Sequence, residues 1–238
     1  MTTPLFTEDA YLTTTEAQVI AAGPDGVALD RTTFYPTGGG QPGDAGRLSW
    51  EGGAADVTTA IKGEGDQILH LLAEGATPPP VGATVTAEID AGTRALYRRV
   101  HTCLHLLSVV VPLPVTGGSI SAGKGRLDFD MPEPPEDKEA LGEALNALIA
   151  GDHPVTDEWI TDEELAANPG LVKTMKVKPP VGRGRVRLVR IGAGDETVDL
   201  QPCGGTHVRS TAEIGRVRIG KIEKKSRQNR RVYVHLED

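Results

Sequence analysis

The alternation of apolar and polar positions divides the chain into two regions. Through about the first ninety residues, TEAQVIAAG, GVALDRTTFYP, AGRLSWEGGAADVTTAIKG, DQILHLLAE and ATVTAEID carry β-branched residues at roughly alternate positions. Clusters of Gly, Pro and Asp bound these segments, the layout of a small antiparallel barrel or sandwich. The run ATPPPVG and the stop at Asp90-Ala91-Gly92 end this pattern. From Arg94 the apolar positions recur at three and four, and Leu96, Val100, Cys103, Leu104 and Leu107 predict a helix. Two prolines in VVVPLPVTGG stop it. SISAGKGRLDFDM predicts a hairpin or strand, and PPEDKEALGEALNALIAG an amphipathic helix with acids at its start and Gly151 past its end. HPVTDEWI reads as a strand and TDEELAANPG as a short helix capped by Thr161. Beyond Pro180, GRVRLVRIG, ETVDLQP, IGRVRIGKIEK and NRRVYVHL return to strands. Helices and strands do not alternate as βαβ units, so the second half predicts a two-layer α+β domain with a mostly antiparallel sheet. The expected domains are 1–92 and 93–238.

Composition bounds the class. The 238 residues are 38% hydrophobic, enough for a buried core, and 29 Gly with 17 Pro point to many turns. No window approaches 18 apolar residues, so no membrane span is expected. The N-terminal MTTPLFTEDAYL lacks the basic-then-apolar layout of a secretion signal. Two cysteines, 100 positions apart, make no disulfide framework, so a cytoplasmic location is expected.

The net charge of −8 argues at first against a nucleic-acid partner. Its distribution reverses that inference. Residues 173–231 hold 16 Lys+Arg against 5 Asp+Glu, whereas the remainder holds 9 against 28. Exposed basic strands are often only solvated faces, but so large an asymmetry is also what a phosphate-binding surface would show.

The strongest chemical signal has two halves. His101-Thr102-Cys103-Leu104-His105 is an HxxxH within the first predicted helix, where residues at i and i+4 share a face. Cys203-Gly204-Gly205-Thr206-His207 is a CxxxH in a glycine-rich turn, and its glycines let the chain bend so that thiolate and imidazole converge. Either pair alone arises often by chance. Together they gather four of the eight Cys and His residues, and His101, His105, Cys203 and His207 make a zinc set. Cys103 points to another side of the helix and is expected in the core. His70, His153 and His235 stand singly and read as structural. Thr102 occupies the position where a zincin protease carries its general base, which disfavours that activity. Zinc can activate water or position a substrate group, whereas four tight protein ligands would close the shell and make the site structural.

A second motif is Thr33-Phe34-Tyr35-Pro36-Thr37-Gly38-Gly39-Gly40-Gln41-Pro42-Gly43-Asp44. Gly38, Gly39 and Gly40 allow a ligand to approach the backbone closely, and Gln41 can orient water or bond substrate. A flexible turn is the commoner use of three glycines, but this one is framed by Pro36 and Pro42. A third feature, Val115-Thr116-Gly117-Gly118-Ser119-Ile120-Ser121, sets Thr116 and Ser119 on an expected glycine turn, suited to a small polar substrate group or to a plain turn.

In order and spacing, FYPTGGGQPGDAG, HTCLH, GGSIS with RLDFD, CGGTHV and the ending SRQNRRVYV strongly resemble the AlaX proteins, freestanding relatives of the editing domain of alanyl-tRNA synthetase. The resemblance covers nearly the whole chain. It implies a zinc-dependent hydrolase that cleaves the ester of mischarged tRNA specific for alanine, chiefly removing serine and in some cases glycine. It carries the metal ligands onto His101, His105, Cys203 and His207, places amino-acid discrimination at Thr116, and associates the loop through Gln41 with serine editing. It implies one zinc ion per chain, tRNA as partner and no stable protein partner. The fold it implies is an N-terminal β-barrel like that of translation factors, then a two-layer α+β editing domain. The end at Asp238 matches the mid-sized form of the family. Two other functions are carried alongside: a non-catalytic RNA-binding module with a structural zinc, and a small-molecule metallohydrolase.

Overall fold

The computed structural model describes residues 1–135, 137–174 and 184–237. The chain forms two compact units, Met1–Ala95 and Leu96–Asp238.

In chain order the first unit holds β1 (Thr3–Pro4), β2 (Thr14–Gly23), β3 (Gly26–Leu29), β4 (Arg31–Thr32), β5 (Gly46–Trp50), β6 (Gly53–Lys62), β7 (Ile68–Leu72) and β8 (Thr84–Ile89). Six of these close into a barrel in the order β2-β3-β7-β6-β5-β8. The alternation seen in the sequence sends Val19, Val27, Leu29, Leu48, Val57, Val85 and Ala87 into its core. AGRLSWEGGAADVTTAIKG, a single segment in the sequence pattern, is two strands. Trp50 pairs with Gly53 across a two-residue turn, and Gly52 there has a φ of 89°, a conformation that favours glycine.

His70 is fully buried in the first unit, as its structural reading expects. Its Nδ1 lies 2.8 Å from the Val27 carbonyl, which can only accept, so Nδ1 carries the proton. Nε2 then accepts from the Thr32 hydroxyl at 2.8 Å, and the Phe34 N–H donates to that same hydroxyl oxygen at 3.1 Å. In the glycine-rich motif, Asp44 accepts from the Tyr35 N–H and forms a buried ion pair with Arg94, whose guanidinium also donates to the Thr33 carbonyl at 2.7 Å.

Helix α1 (Ala91–Val110) begins in the first unit and continues into the second. The second unit contains two antiparallel sheets. One runs β14 (Val217–Lys224), β15 (Asn229–Leu236), β10 (Lys124–Asp130), β9 (Val115–Ser121), and the other β11 (Val155–Thr161), β12 (Arg185–Ile191), β13 (Asp199–Pro202). Helix α2 (Lys138–Ala150) is capped by the Asp137 carboxylate, and α3 (Asp162–Ala167) by a capping box between Thr161 and Glu164. A small barrel followed by an α+β unit is the expected fold class. VTGGSIS departs from expectation. The segment is strand β9, not a turn, with Gly117 and Gly118 opposite Asp128 and Leu127. Gly125 matters for packing, because a Cβ there would fall 2.6 Å from Val100 Cγ1. Its absence lets α1 close onto the sheet over Val100, Leu104, Leu127 and Phe129.

Candidate metal centre

The periodicity of α1 buries Val100, Cys103, Leu104 and Leu107 and sets His101 and His105 one turn apart on another face. The loop after β13 brings up Cys203 and His207. One donor atom from each of His101, His105, Cys203 and His207 lies within 4.8 Å of all the others. Cys203 Sγ is 3.4 Å from His101 Nε2 and 3.3 Å from His207 Nε2, and the His101 and His207 ring centres are 4.3 Å apart. The three histidines are buried, and Cys203 is the partly exposed member. Cys103 is fully buried in the apolar core, where desolvation pushes its thiol up to about 12.

The donor set fits a zinc ion, with three imidazoles and one sulfur converging. Burial opposes ionisation of Cys203, but the adjacent His101, with hydrogen bonds from His101 and His105, brings its thiol well below the ordinary value. Burial likewise lowers His105, yet hydrogen bonds to Asp199 and Cys203 raise it to about 9. Burial and the charge of His101 hold His207 down at about 3, so its imidazole is neutral and able to ligate.

The surrounding structure supports the donors. Asp199 Oδ2 accepts from His105 Nδ1 at 3.1 Å. The Thr102 hydroxyl lies 3.0 Å from His207 Nδ1. Arg187 on β12 donates to the carbonyls of Cys203 and Gly205 at 3.2 and 2.8 Å while paired with Asp157, so it clamps the ligand loop from below. The Cys203 N–H returns a bond to the Arg187 carbonyl at 3.1 Å. Neither Gly204 nor Gly205 has a positive φ, so a left-handed backbone is not what the loop asks of them.

The other expected site residues are placed as follows. Thr116 is half-buried on β9, donating its hydroxyl proton to the Asp128 carbonyl at 3.1 Å and accepting from the Asn229 amide. Ser119 pairs with Arg126, on the sheet face opposite the one where Gly125 and Leu127 meet α1. In the first unit, Gly38 and Gln41 exchange two backbone hydrogen bonds of 2.9–3.0 Å, with Gly39 and Gly40 left-handed at φ 57° and 85° between them. Gln41 is 1% exposed.

The basic stretch is partly neutralised in space. Arg187, Arg190 and Arg231 pair with Asp157, Glu158 and Asp128, acids from outside it, and buried Arg230 donates to the Pro132 and Ser226 carbonyls. Arg218, Lys224 and Arg227 are exposed and make no ion pair among the described residues. The positions of the stretch within 175–183 lie outside the described residues.

Two family models match the chain, "Threonyl and Alanyl tRNA synthetase second additional domain" over residues 186–233 and "tRNA synthetases class II (A)" over residues 8–93. The first contains Cys203 and His207. Over its whole length the chain is 33% identical to the alanyl-tRNA editing protein AlaX-M of Methanosarcina acetivorans, covering all of that protein. It is also 33% identical to the AlaX-M protein of Methanosarcina mazei, covering 98% of it. The chain belongs to the AlaX-M family. It is 35% identical to the alanine–tRNA ligase of Pyrobaculum neutrophilum over 94% of its own length, but spans about a quarter of that ligase.

Asp199, Thr102, Gln201, Lys173 and Arg187 are not found by motif reading. For two of them a signal exists. In ETVDLQPCGGTH, Asp199 and Gln201 sit at alternate positions of a strand leading into the ligand loop, and both are buried. Two polar residues sharing the inward face of a strand mark a built polar site.

Proposed function

We propose that the protein is a trans-editing hydrolase that deacylates mischarged tRNA specific for alanine, chiefly releasing serine and in some cases glycine, at a zinc centre held by His101, His105, Cys203 and His207. The observation that carries this reading is the coincidence of full-length AlaX-M similarity with four converging donors. When bound, zinc supplies the Lewis-acid character that ester hydrolysis near neutral pH draws on. The aminoacyl ester is an activated bond, so catalysis asks chiefly for positioning and for charge stabilisation at the carbonyl.

Discrimination is the harder task. Serine is alanine plus a hydroxyl, and an apolar pocket rejects an added hydroxyl weakly, whereas a site that hydrogen-bonds it selects strongly. Thr116 supplies such a bond in this reading. Its proton is committed to the Asp128 carbonyl and it accepts from Asn229, so its remaining capacity is as an acceptor for the substrate hydroxyl. Ser119 is assigned to the same substrate group. Gly38, Gly39, Gly40 and Gln41 are assigned to substrate contact, with Gln41 orienting water. Backbone bonds hold that turn, so Gln41→Ala removes the amide while leaving the turn closed.

The four-donor count favours one competing reading, a non-catalytic RNA-binding module with a structural zinc. Incubation with seryl- and alanyl-tRNA specific for alanine, with and without a zinc chelator, separates them. The editing reading expects chelator-sensitive serine release with alanyl-tRNA largely spared. Tight tRNA binding without turnover would establish the binding module, and indifference to tRNA with hydrolysis of small esters would establish a small-molecule hydrolase.

A further inference from the structure

Asp199 is 3% exposed, and three donors converge on its carboxylate. Oδ2 accepts from His105 Nδ1 at 3.1 Å and from Gln201 Nε2 at 2.7 Å, and Oδ1 accepts from Lys173 Nζ at 2.5 Å. The Lys173 ammonium and the Gln201 amide NH2 can only donate, so the carboxylate accepts from both and carries no proton toward His105. Its partner nitrogen on His105 must therefore carry the proton. The network also reaches the helix backbone. Gln201 Nε2 lies 3.5 Å from Ser108 Oγ, and the Ser108 hydroxyl donates to the His105 carbonyl at 2.7 Å.

We propose that Asp199, held by Lys173 and Gln201, is a positioning residue that fixes His105 in the tautomer presenting Nε2 to the metal. The inference rests on the zinc reading of the four-donor cluster. With Nδ1–H tied to Asp199, the ring cannot rotate or exchange tautomers without forfeiting a buried hydrogen bond to the carboxylate. The His105 lone pair then lies on Nε2, beside Cys203. A carboxylate behind a ligating imidazole also makes it a stronger donor to the metal. The histidines are supported differently: His207 Nδ1 meets the neutral Thr102 hydroxyl, and His105 Nδ1 meets an anion that Lys173 compensates. Lys173 also ties this support to β9, because its carbonyl accepts from the Val115 N–H at 3.1 Å, one residue before Thr116.

The decisive substitution is Asp199→Asn. Lys173 donates to Oδ1, whereas Gln201 and His105 share Oδ2, so the single amide oxygen of the variant serves only one of these two positions and its NH2 meets donors at the other. Either way the negative charge behind His105 is lost, and with the NH2 at the Oδ2 position Nδ1 is asked to accept, which moves the proton to Nε2 and opposes ligation. Zinc affinity, measured by competition with a chromophoric chelator, is expected to fall about 10–100-fold. The visible spectrum of the cobalt-substituted protein should change with it. Long-range nitrogen–proton NMR of zinc-loaded wild type needs no variant. It should show a protonated Nδ1 and a metal-bound Nε2 on His105. Wild-type zinc affinity in a folded Asp199→Asn protein, or zinc on Nδ1 of His105, would overturn this inference alone. A wild-type chain that binds no zinc would overturn the metal reading and this inference together.

Discussion

The hydroxyl of Thr102 lies 3.0 Å from Nδ1 of His207, although the two residues are 105 positions apart. The same oxygen donates to the Arg98 carbonyl at 3.1 Å and accepts from the Val208 N–H at 3.2 Å. Its one proton is spent on Arg98, so His207 Nδ1 is the donor and Nε2 is left facing Cys203. Thr102 thus stands where a zincin carries its base, and it orients a ligand.

Thr102→Val removes this acceptor and leaves the Nδ1–H of His207 and the Val208 N–H buried without their partner. The expected cost is about 1–3 kcal/mol of stability together with weaker zinc binding. Thr102→Ser should retain most of both. Urea unfolding and a zinc competition titration read the two effects, and a Thr102→Val protein equal to wild type in both would remove the role.

The barrel contains an independent pH-sensitive group. Desolvation lowers His70 to about 4, against the small opposing effect of its bond to Val27. The unfolded chain takes up this proton near pH 6.5 and the folded chain only near 4, so acidification between those values favours unfolding. His70 stabilises the fold fully above about 6.5, and falling pH through that window removes on the order of 3 kcal/mol. His70→Gln should flatten the pH dependence of the unfolding midpoint between pH 7 and 4. An unaltered slope would show that His70 does not titrate this way.

Thr116→Val deletes the acceptor assigned to the serine hydroxyl. The ratio of seryl- to alanyl-tRNA deacylation should fall about tenfold or more, since losing a hydrogen bond that selects a hydroxyl forfeits most of that selection. Zinc content should be unchanged. The same ratio in the variant would move discrimination to another residue.

Of the basic stretch, Lys224 and Arg227 are exposed without a described ion pair, whereas Arg187, Arg190, Arg230 and Arg231 are committed internally. Lys224→Glu with Arg227→Glu should weaken tRNA binding and reduce its dependence on salt, by about one unit of log–log slope for each phosphate no longer neutralised. Arg231→Gln should mainly destabilise the sheet around Asp128. A salt slope unchanged by the first pair would place the tRNA elsewhere.

The legible part of the molecule is what local spacing encodes. The barrel strands follow from period-two alternation, and the ligands from two tight pairs, HTCLH and CGGTH, whose members are four residues apart. The supports are not legible because they depend on tertiary approach. Lys173 lies 26 residues from Asp199, and Asp199 lies 94 from His105, so no short window contains both members of either pair. Asp157, Glu158 and Asp128 likewise neutralise arginines from other strands, which a charge count along the chain does not register. The two glycines of VTGGSIS predict a turn, but pairing with β10 overrides that local preference.

The central claim, that the four-donor cluster is the centre of an aminoacyl-tRNA hydrolase, is tested most directly by serine release from seryl-tRNA specific for alanine, comparing zinc-loaded wild type with folded Cys203→Ala at equal concentration. Rapid release by wild type, lost with zinc in Cys203→Ala, is the predicted result. Serine release at the wild-type rate by Cys203→Ala would contradict it.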